Sequence, residues 1–270
     1  MQDLKISLLQ SELEWENPAA NRNHFSALID GISETDLILL PEMFSTGFTM
    51  KSAELAETMD GETVKWMQSQ AAKKNAVICG SLIIQEENKF FNRLIWMRPN
   101  GSFETYDKRH LFRMANENEH FSPGTSKLVV ELKDWKICPL VCYDLRFPVW
   151  SRNIAETDRE SYANWEYDVL IYIANWPEPR VKAWEKLLYA RAIENQCYVA
   201  AVNRIGEDGK EINYSGNSMA IDAKGELLWK AEDNKAAVQT MKFSKTELEA
   251  FRKKFPLGMD GDEFEMRNLK

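Results

Sequence analysis

The 270-residue sequence contains no apolar run approaching the roughly 18 residues that a membrane span needs, so a membrane-spanning segment is not expected. Positive charge is in deficit as well: 34 Lys and Arg stand against 42 Asp and Glu, a formal net charge of −8. Binding to nucleic acid or to anionic membrane is driven by clustered cations, so neither partner is expected, and a small-molecule substrate is. The opening stretch MQDLKISLLQSELEWENP has neither a basic n-region nor a long apolar h-region, which predicts a cytoplasmic protein.

Cysteine is scarce. Cys79, Cys138, Cys142 and Cys197 are too few for a disulfide framework in a chain of this size, and the Cys-x3-Cys spacing lacks a second Cys/His pair for zinc. Free thiols and no metal site are expected. Histidine is scarcer still: His24, His110 and His120 form no evident dyad with a thiol. The usual activating base for a cysteine is therefore missing. The stretch KICPLVCYDLRFPVW, Lys136 to Trp150, then raises the question of which thiol reacts and what deprotonates it.

The pattern of elements is legible. LKISLLQ reads as a strand, NPAANRNHFSALIDGI as an amphipathic helix and DLILLPEMF as a buried strand, one βαβ unit. ETVKWMQSQAAKKN is helical, and AVICGSLIIQ, KFFNRLIWMRP and SFETYDKRH are strands separated by the turn signals EEN and PNGS. KLVVELKDWKICPLVC supplies two more strands, FPVWSRNIA is expected to open a helix, and strand, helix and strand follow in YDVLIYIAN, VKAWEKLLYARAIENQ and CYVAAVNRI. Pro139 removes a ladder donor, so its strand is expected to be bulged or interrupted. A single domain over residues 1–270, with a mixed sheet or two sheets face to face and helices outside, is the expected α/β architecture.

Three apolar strands each end on an ionisable residue: Glu42 after LILLP, Lys108 after FETYD and Cys142 after ICPLV. A thiol attacks as thiolate or when a base removes its proton, and a carboxylate tuned by burial and a neighbouring ammonium can be that base. Glu42 could deprotonate Cys142 while Lys108 stabilises the oxyanion that forms, and no histidine is needed. Cys138, inside the apolar run, is left as packing.

LLPEMFSTGF, YDKRHLFRM and CYDLRFP together resemble the three signature segments of the nitrilase superfamily of carbon–nitrogen hydrolases, and the likeness runs from LKISLLQ to GNSMAIDAKGELLWKA. The resemblance implies a four-layer α-β-β-α sandwich with mixed sheets, a homodimer or higher homo-oligomer, and no cofactor. It implies Glu42 as general base, Lys108 as oxyanion stabiliser, Cys142 as nucleophile, and a second glutamate at Glu117, with Glu119 as the alternative. Tyr143, through its N–H, would complete the oxyanion site. KRHLFRM, CYDLRFP and IANWPEPR are most similar to the omega-amidase branch, which implies hydrolysis of the terminal amide of 2-oxo acid amides such as 2-oxoglutaramate and 2-oxosuccinamate through a thioester. Such substrates carry a distal carboxylate, for which Arg146 and then Arg113 are the candidates, with Arg109 and Arg180 nearby in the motifs. Phe44 and Trp176 are candidate pocket walls. The polar segment AETDRESYANWEY is a candidate insertion at the pocket rim or an oligomer contact. Other amides, N-carbamoyl amines or nitriles remain open as substrates of the same triad, and a Schiff-base role for Lys108 is the alternative of a different class.

Overall fold

The computed structural model describes residues 2–156 and 164–262. The chain begins with β1 (Leu4–Gln10), α1 (Pro18–Asp30), β2 (Leu37–Leu39), α2 (Ser52–Leu55), α3 (Glu62–Lys74) and β3 (Val77–Glu86). Next come β4 (Lys89–Met97), β5 (Phe103–Asp107), α4 (Glu117–His120), β6 (Val130–Leu132) and β7 (Trp135–Val141). A ribbon of β8 (Ala155–Glu156) and β9 (Asn164–Trp165) leads to β10 (Val169–Ala174), α5 (Val181–Asn195) and β11 (Tyr198–Asn203). The hairpin β12 (Ile205–Glu207) and β13 (Asn213–Ser215) precedes β14 (Met219–Ile221), β15 (Leu227–Lys230), β16 (Ala237–Phe243) and α6 (Lys245–Lys254).

Local chemistry sets these elements. α1 starts where Asn17 accepts the Ala20 N–H at 3.2 Å and Pro18 fills the first helical turn. α3 stops at Asn75, which takes the left-handed conformation (φ 48°), and Lys73 and Lys74 oppose the negative end of its dipole. VLIYIA in β10 and YVAAVN in β11 are buried at every position, as befits inner strands covered on both faces.

Two mixed sheets result, in the orders β16-β1-β2-β3-β4-β5 and β15-β14-β11-β10-β7-β6. One core lies between them, where Ile6, Leu39 and Trp96 meet Ile137, Ile171 and Ala200, and it continues on the other face of the second sheet, where Leu140 and Val199 lie on the α5 side with Trp184 and Leu188. A second core joins the far face of the first sheet to α1 and α3 through Ile38, Ile78 and Ile95 against Phe25, Ile29 and Met67. The layers are therefore α-β-β-α. β2 is parallel to β1 and β3, and β7, β10 and β11 are parallel to one another, so both sheets carry parallel strands whose carboxyl ends present loops. Such ends are where open α/β sheets bind ligands.

The structure corrects two expectations. β7 is neither bulged nor broken at Pro139, which pairs with Ile171 in an unshifted register from Ile137 to Val141. β6 starts at Val130, opposite Ile137, and runs back to a point opposite Trp135, so β7 is an edge strand from Cys138 onward, and an edge tolerates a residue without an N–H. FPVWSRNIA opens no α-helix: a 3-10 turn over Cys142–Arg146 is followed by turns, and Cys142 itself has φ 45°. Residues 157–163 of the polar segment lie outside the described residues. Its flanks meet Lys136, which donates to Asn164 Oδ1 at 2.9 Å and to the Trp165 carbonyl at 3.1 Å. Lys136 is at the start of β7, the opposite end from Cys142, so these flanks do not form the pocket rim.

Candidate active site

Four of the residues singled out above converge in one buried cluster. Glu42 leaves β2 through Leu40 and Pro41, and its side chain is fully buried. Its Oε1 accepts Lys108 Nζ and Asn92 Nδ2, both at 2.8 Å, and its Oε2 accepts the Asn175 N–H at 2.9 Å. Lys108, the residue after β5, also reaches Glu117 at 2.9 and 3.0 Å and lies 5.1 Å from the centre of the Phe48 ring. Glu117 opens α4 after Asn116 (φ 58°), and its Oε2 accepts the Phe112 N–H at 2.6 Å. Glu119 is exposed, so Glu117 is the acid beside the lysine.

Cys142 sits at the carboxyl end of β7. Its left-handed φ of 45° is costly for a residue with a Cβ, about 1–3 kcal/mol, and turns the side chain sharply out of the strand. Its Sγ is 3.8 Å from the carbonyl of Asn175, whose N–H bonds Glu42 Oε2. Burial pushes the thiol well above its usual range, the Glu42 charge adds to this, and Lys108 offsets part of it. A thiol so raised is protonated at rest and would need a base in order to attack. Burial works against the Lys108 ammonium, but Glu117 and Glu42 more than compensate and its pKa is raised. Glu117 is also shifted up, by burial first, against the pull of Lys108.

A second network ties the Lys108 loop to the Cys142 turn. Asp144, fully buried, accepts from the Tyr106 hydroxyl at 2.7 Å and the Val141 N–H at 3.1 Å. It also accepts the His110 N–H at 3.0 Å and pairs with His110 Nδ1 at 2.7 Å. The Tyr106 oxygen in turn accepts from Trp150 Nε1 and the Arg109 N–H. His110 therefore serves the carboxylate of Asp144 and no thiol. Asn92, Asn175, Asp144 and Tyr106 were not singled out from sequence: an Asn within KFFNRLIWM, or at the end of YIAN, is signalled only as a polar residue in an apolar strand.

A cavity of about 340 Å³ opens above the cluster, with Lys108, Cys142 and Asn175 among its lining residues. Phe48, Phe112, Tyr143, Trp176 and Tyr214 contribute aromatic walls, and Arg146, Arg180, Asp208 and Lys210 contribute charge. Arg146 lies 4.8 Å from the Trp176 ring and Arg180 5.3 Å from the Phe112 ring. Among the described residues neither has an ion-pair partner. Two candidates are elsewhere. Phe44 is packed against Phe25 and Trp66 in the outer core, because the Thr46 and Gly47 N–H groups both bond the Met43 carbonyl and this turn leaves Phe48 at the cavity. Arg113 is exposed and does not line the cavity. Arg109 donates to the Gly124 carbonyl and lies over Trp150. Among the described residues no group of three His, Cys, Asp or Glu is placed to hold a metal ion.

The carbon-nitrogen hydrolase family model matches residues 5–253. This chain belongs to that family. Its members here include an omega-amidase, YafV, of Escherichia coli (strain K12), 45% identical over 266 residues that cover 98% of this chain and all of that protein. A 2-oxoglutaramate amidase of Bacillus subtilis (strain 168) is 33% identical over 227 residues, 83% of this chain and 84% of its own. XC1258 of Xanthomonas campestris, a CN-hydrolase superfamily protein solved with an arsenic adduct in its active site, superposes with a TM-score of 0.95 at 44% identity, covering 99% of this chain and 100% of that one. A carbon-nitrogen hydrolase thus accounts for the sandwich and for the three motif segments alike.

Proposed function

We propose that the protein is an omega-amidase that hydrolyses the terminal amide of small 2-oxo acid amides, 2-oxoglutaramate or 2-oxosuccinamate, to the 2-oxo dicarboxylate and ammonia. One observation carries the proposal: Cys142 and the Glu42–Lys108–Glu117 cluster share a cavity with Arg146 and Arg180, two guanidiniums without a carboxylate partner among the described residues. An anionic substrate supplies that partner. The relatives named above, an omega-amidase and a 2-oxoglutaramate amidase, act on this kind of compound by their names.

In the proposed reaction Glu42 takes the Cys142 proton as sulfur attacks the amide carbon. Lys108 and the Tyr143 N–H hold the oxyanion, and in sites of this kind one such donor is worth about 2.7–4 kcal/mol. The C–N bond breaks as nitrogen takes the proton from Glu42, and ammonia leaves a thioester. Water then attacks the thioester, giving its proton to Glu42, which returns it to sulfur as the acid departs. Glu117 keeps Lys108 charged and in place. A Schiff-base role would need Lys108 as a neutral amine, which two buried carboxylates within 3.0 Å oppose.

Ammonia release across a panel of amides and nitriles tests the substrate. The oxo-acid amides should be turned over far faster than neutral aliphatic amides of equal length, because a neutral analogue leaves a desolvated guanidinium unpaired. Equal kcat/KM for both would overturn it. Arg146→Met should raise KM for the oxo-acid amide and barely change the slow neutral reaction. We also propose a cytoplasmic homodimer, for which the exposed apolar side chains of Val149, Ile154, Ile193 and Phe255 are candidate contacts. Sedimentation equilibrium of the intact protein gives the subunit count.

A further inference from the structure

A primary amide brings two N–H donors into the cavity, yet the ionised groups that line it are mostly donors themselves: Lys108, Arg146, Arg180 and Lys210 against Asp208. Asn175 is different. It is 3% exposed, and its Nδ2 donates to the Glu42 carbonyl, which fixes the orientation of the side-chain amide. Its Oδ1 is left buried with no hydrogen-bond partner. Native proteins rarely leave such an acceptor idle. The Asn175 backbone carbonyl lies 3.8 Å from Cys142 Sγ and its N–H bonds Glu42 Oε2, so Asn175 stands beside both the attacking sulfur and the acid.

Tyr214 supplies a second acceptor. Its hydroxyl donates to Asp208 Oδ2 at 2.9 Å, while Asp208 Oδ1 is occupied by the Lys210 and Ile212 N–H groups. A phenol has one proton, and here it is committed, so only lone pairs face other partners. Arg204 holds the ring from one side, 4.7 Å from its centre. Tyr214 lines the same cavity as Cys142 and Asn175.

We propose that Asn175 Oδ1 and the Tyr214 oxygen accept the two N–H groups of the scissile carboxamide, and so make the site selective for a primary amide over an ester of the same acid. The assignment rests on the reading of Cys142 as nucleophile. With both N–H groups held, the nitrogen lone pair is free to take the proton that Glu42 removed from the thiol. The C–N bond breaks, the S–C bond remains, and ammonia departs with its hydrogens still directed at the two acceptors.

The test compares 2-oxoglutaramate with the 5-methyl ester of 2-oxoglutarate. Both give the same thioester, so they differ only in the leaving group. Tyr214→Phe keeps the ring beneath Arg204 and should lower kcat/KM for the amide about tenfold more than for the ester, the worth of one hydrogen bond. Asn175→Ala should slow both through Glu42 and lower the amide-to-ester ratio further. Equal losses on amide and ester in Tyr214→Phe, with the ratio also unmoved in Asn175→Ala, would overturn the assignment. An unmutated protein inactive on both compounds would instead sink the substrate reading on which the assignment stands.

Discussion

Cys142 carries its thiol on a left-handed residue, protonated at rest, against a carboxylate that is itself shared with an ammonium. Cys138, four residues earlier within β7 and in the core, has a thiol pushed up to about 12 by burial. Iodoacetamide should therefore label Cys142 and abolish ammonia release. Cys142→Ala should be inert and Cys138→Ala active with a modest loss of stability; full activity in Cys142→Ala would end the thioester mechanism. Glu42→Gln and Lys108→Met should each remove nearly all turnover while circular dichroism stays native, and adding Cys142→Ala should cost little more, because groups that act as a unit are not additive. A further loss equal to the sum of the single losses would indicate independent roles. These three residues were legible because each ends an apolar strand, where an ionisable group stands out. Asn92, Asn175 and Asp144 were not, because their value lies in donors and acceptors from other strands that sequence spacing does not reveal. Phe44 and Phe48 are told apart only by the turn at Met43, whose φ of 43° no aromatic pattern announces.

Elements bring these side chains together through close backbone contacts, and the Lys108 loop shows how little room is left. The Gly124 N–H donates to the Lys108 carbonyl at 3.0 Å, and the Gly124 carbonyl accepts from Arg109 at 2.8 Å. A Cβ on Gly124 would meet the Asp107 carbonyl oxygen at 2.0 Å, a contact that backbone must move to relieve. Gly124→Ala should cost about 1–3 kcal/mol in urea unfolding, as overpacking does, and lower kcat by displacing Lys108. An unchanged kcat with lowered stability would show that the loop can shift without moving the ammonium. At this scale alternation and turn signals located β1 to β7, β10 and β11 and the helices α1, α3 and α5. The failures have local causes. FPVWSRNIA has a helical pattern, but the Asp144 carboxylate takes the Val141 N–H and the left-handed Cys142 redirects the chain before a helix can start. Pro139 looked disruptive because the start of β6 opposite Ile137, which leaves Pro139 on an edge, depends on pairing and not on sequence.

The molecule as a whole buries many groups that lose protons only in alkali. Cys79, Cys138 and Cys197 are buried thiols pushed up by burial, and Tyr106, Tyr167 and Tyr172 are buried phenols shifted the same way. The sign follows directly. Each of these is an acid whose folded pKa exceeds its unfolded one, so above the unfolded value the open chain has released protons that the fold retains, and stability falls as pH rises. Lys108, held protonated by Glu117 and Glu42 against burial, adds to the trend at higher pH. The window for Cys138 opens at its ordinary 9.0 and closes at about 12. Each thiol contributes about 1.4 kcal/mol per pH unit there, and the three core thiols together about 4. A fold stable by about 5–15 kcal/mol should then unfold within a few pH units above 9. Urea unfolding at intervals from pH 8 to 10.5 should give a flat stability below 9 and a steep decline above it. Cys138→Ala should be less stable at pH 8 but lose stability more gently in the alkaline range, so that the two curves converge. Parallel curves through pH 10.5 would mean that the Cys138 thiol ionises in the fold as readily as in the open chain, and that the core on the α5 side of the second sheet admits water.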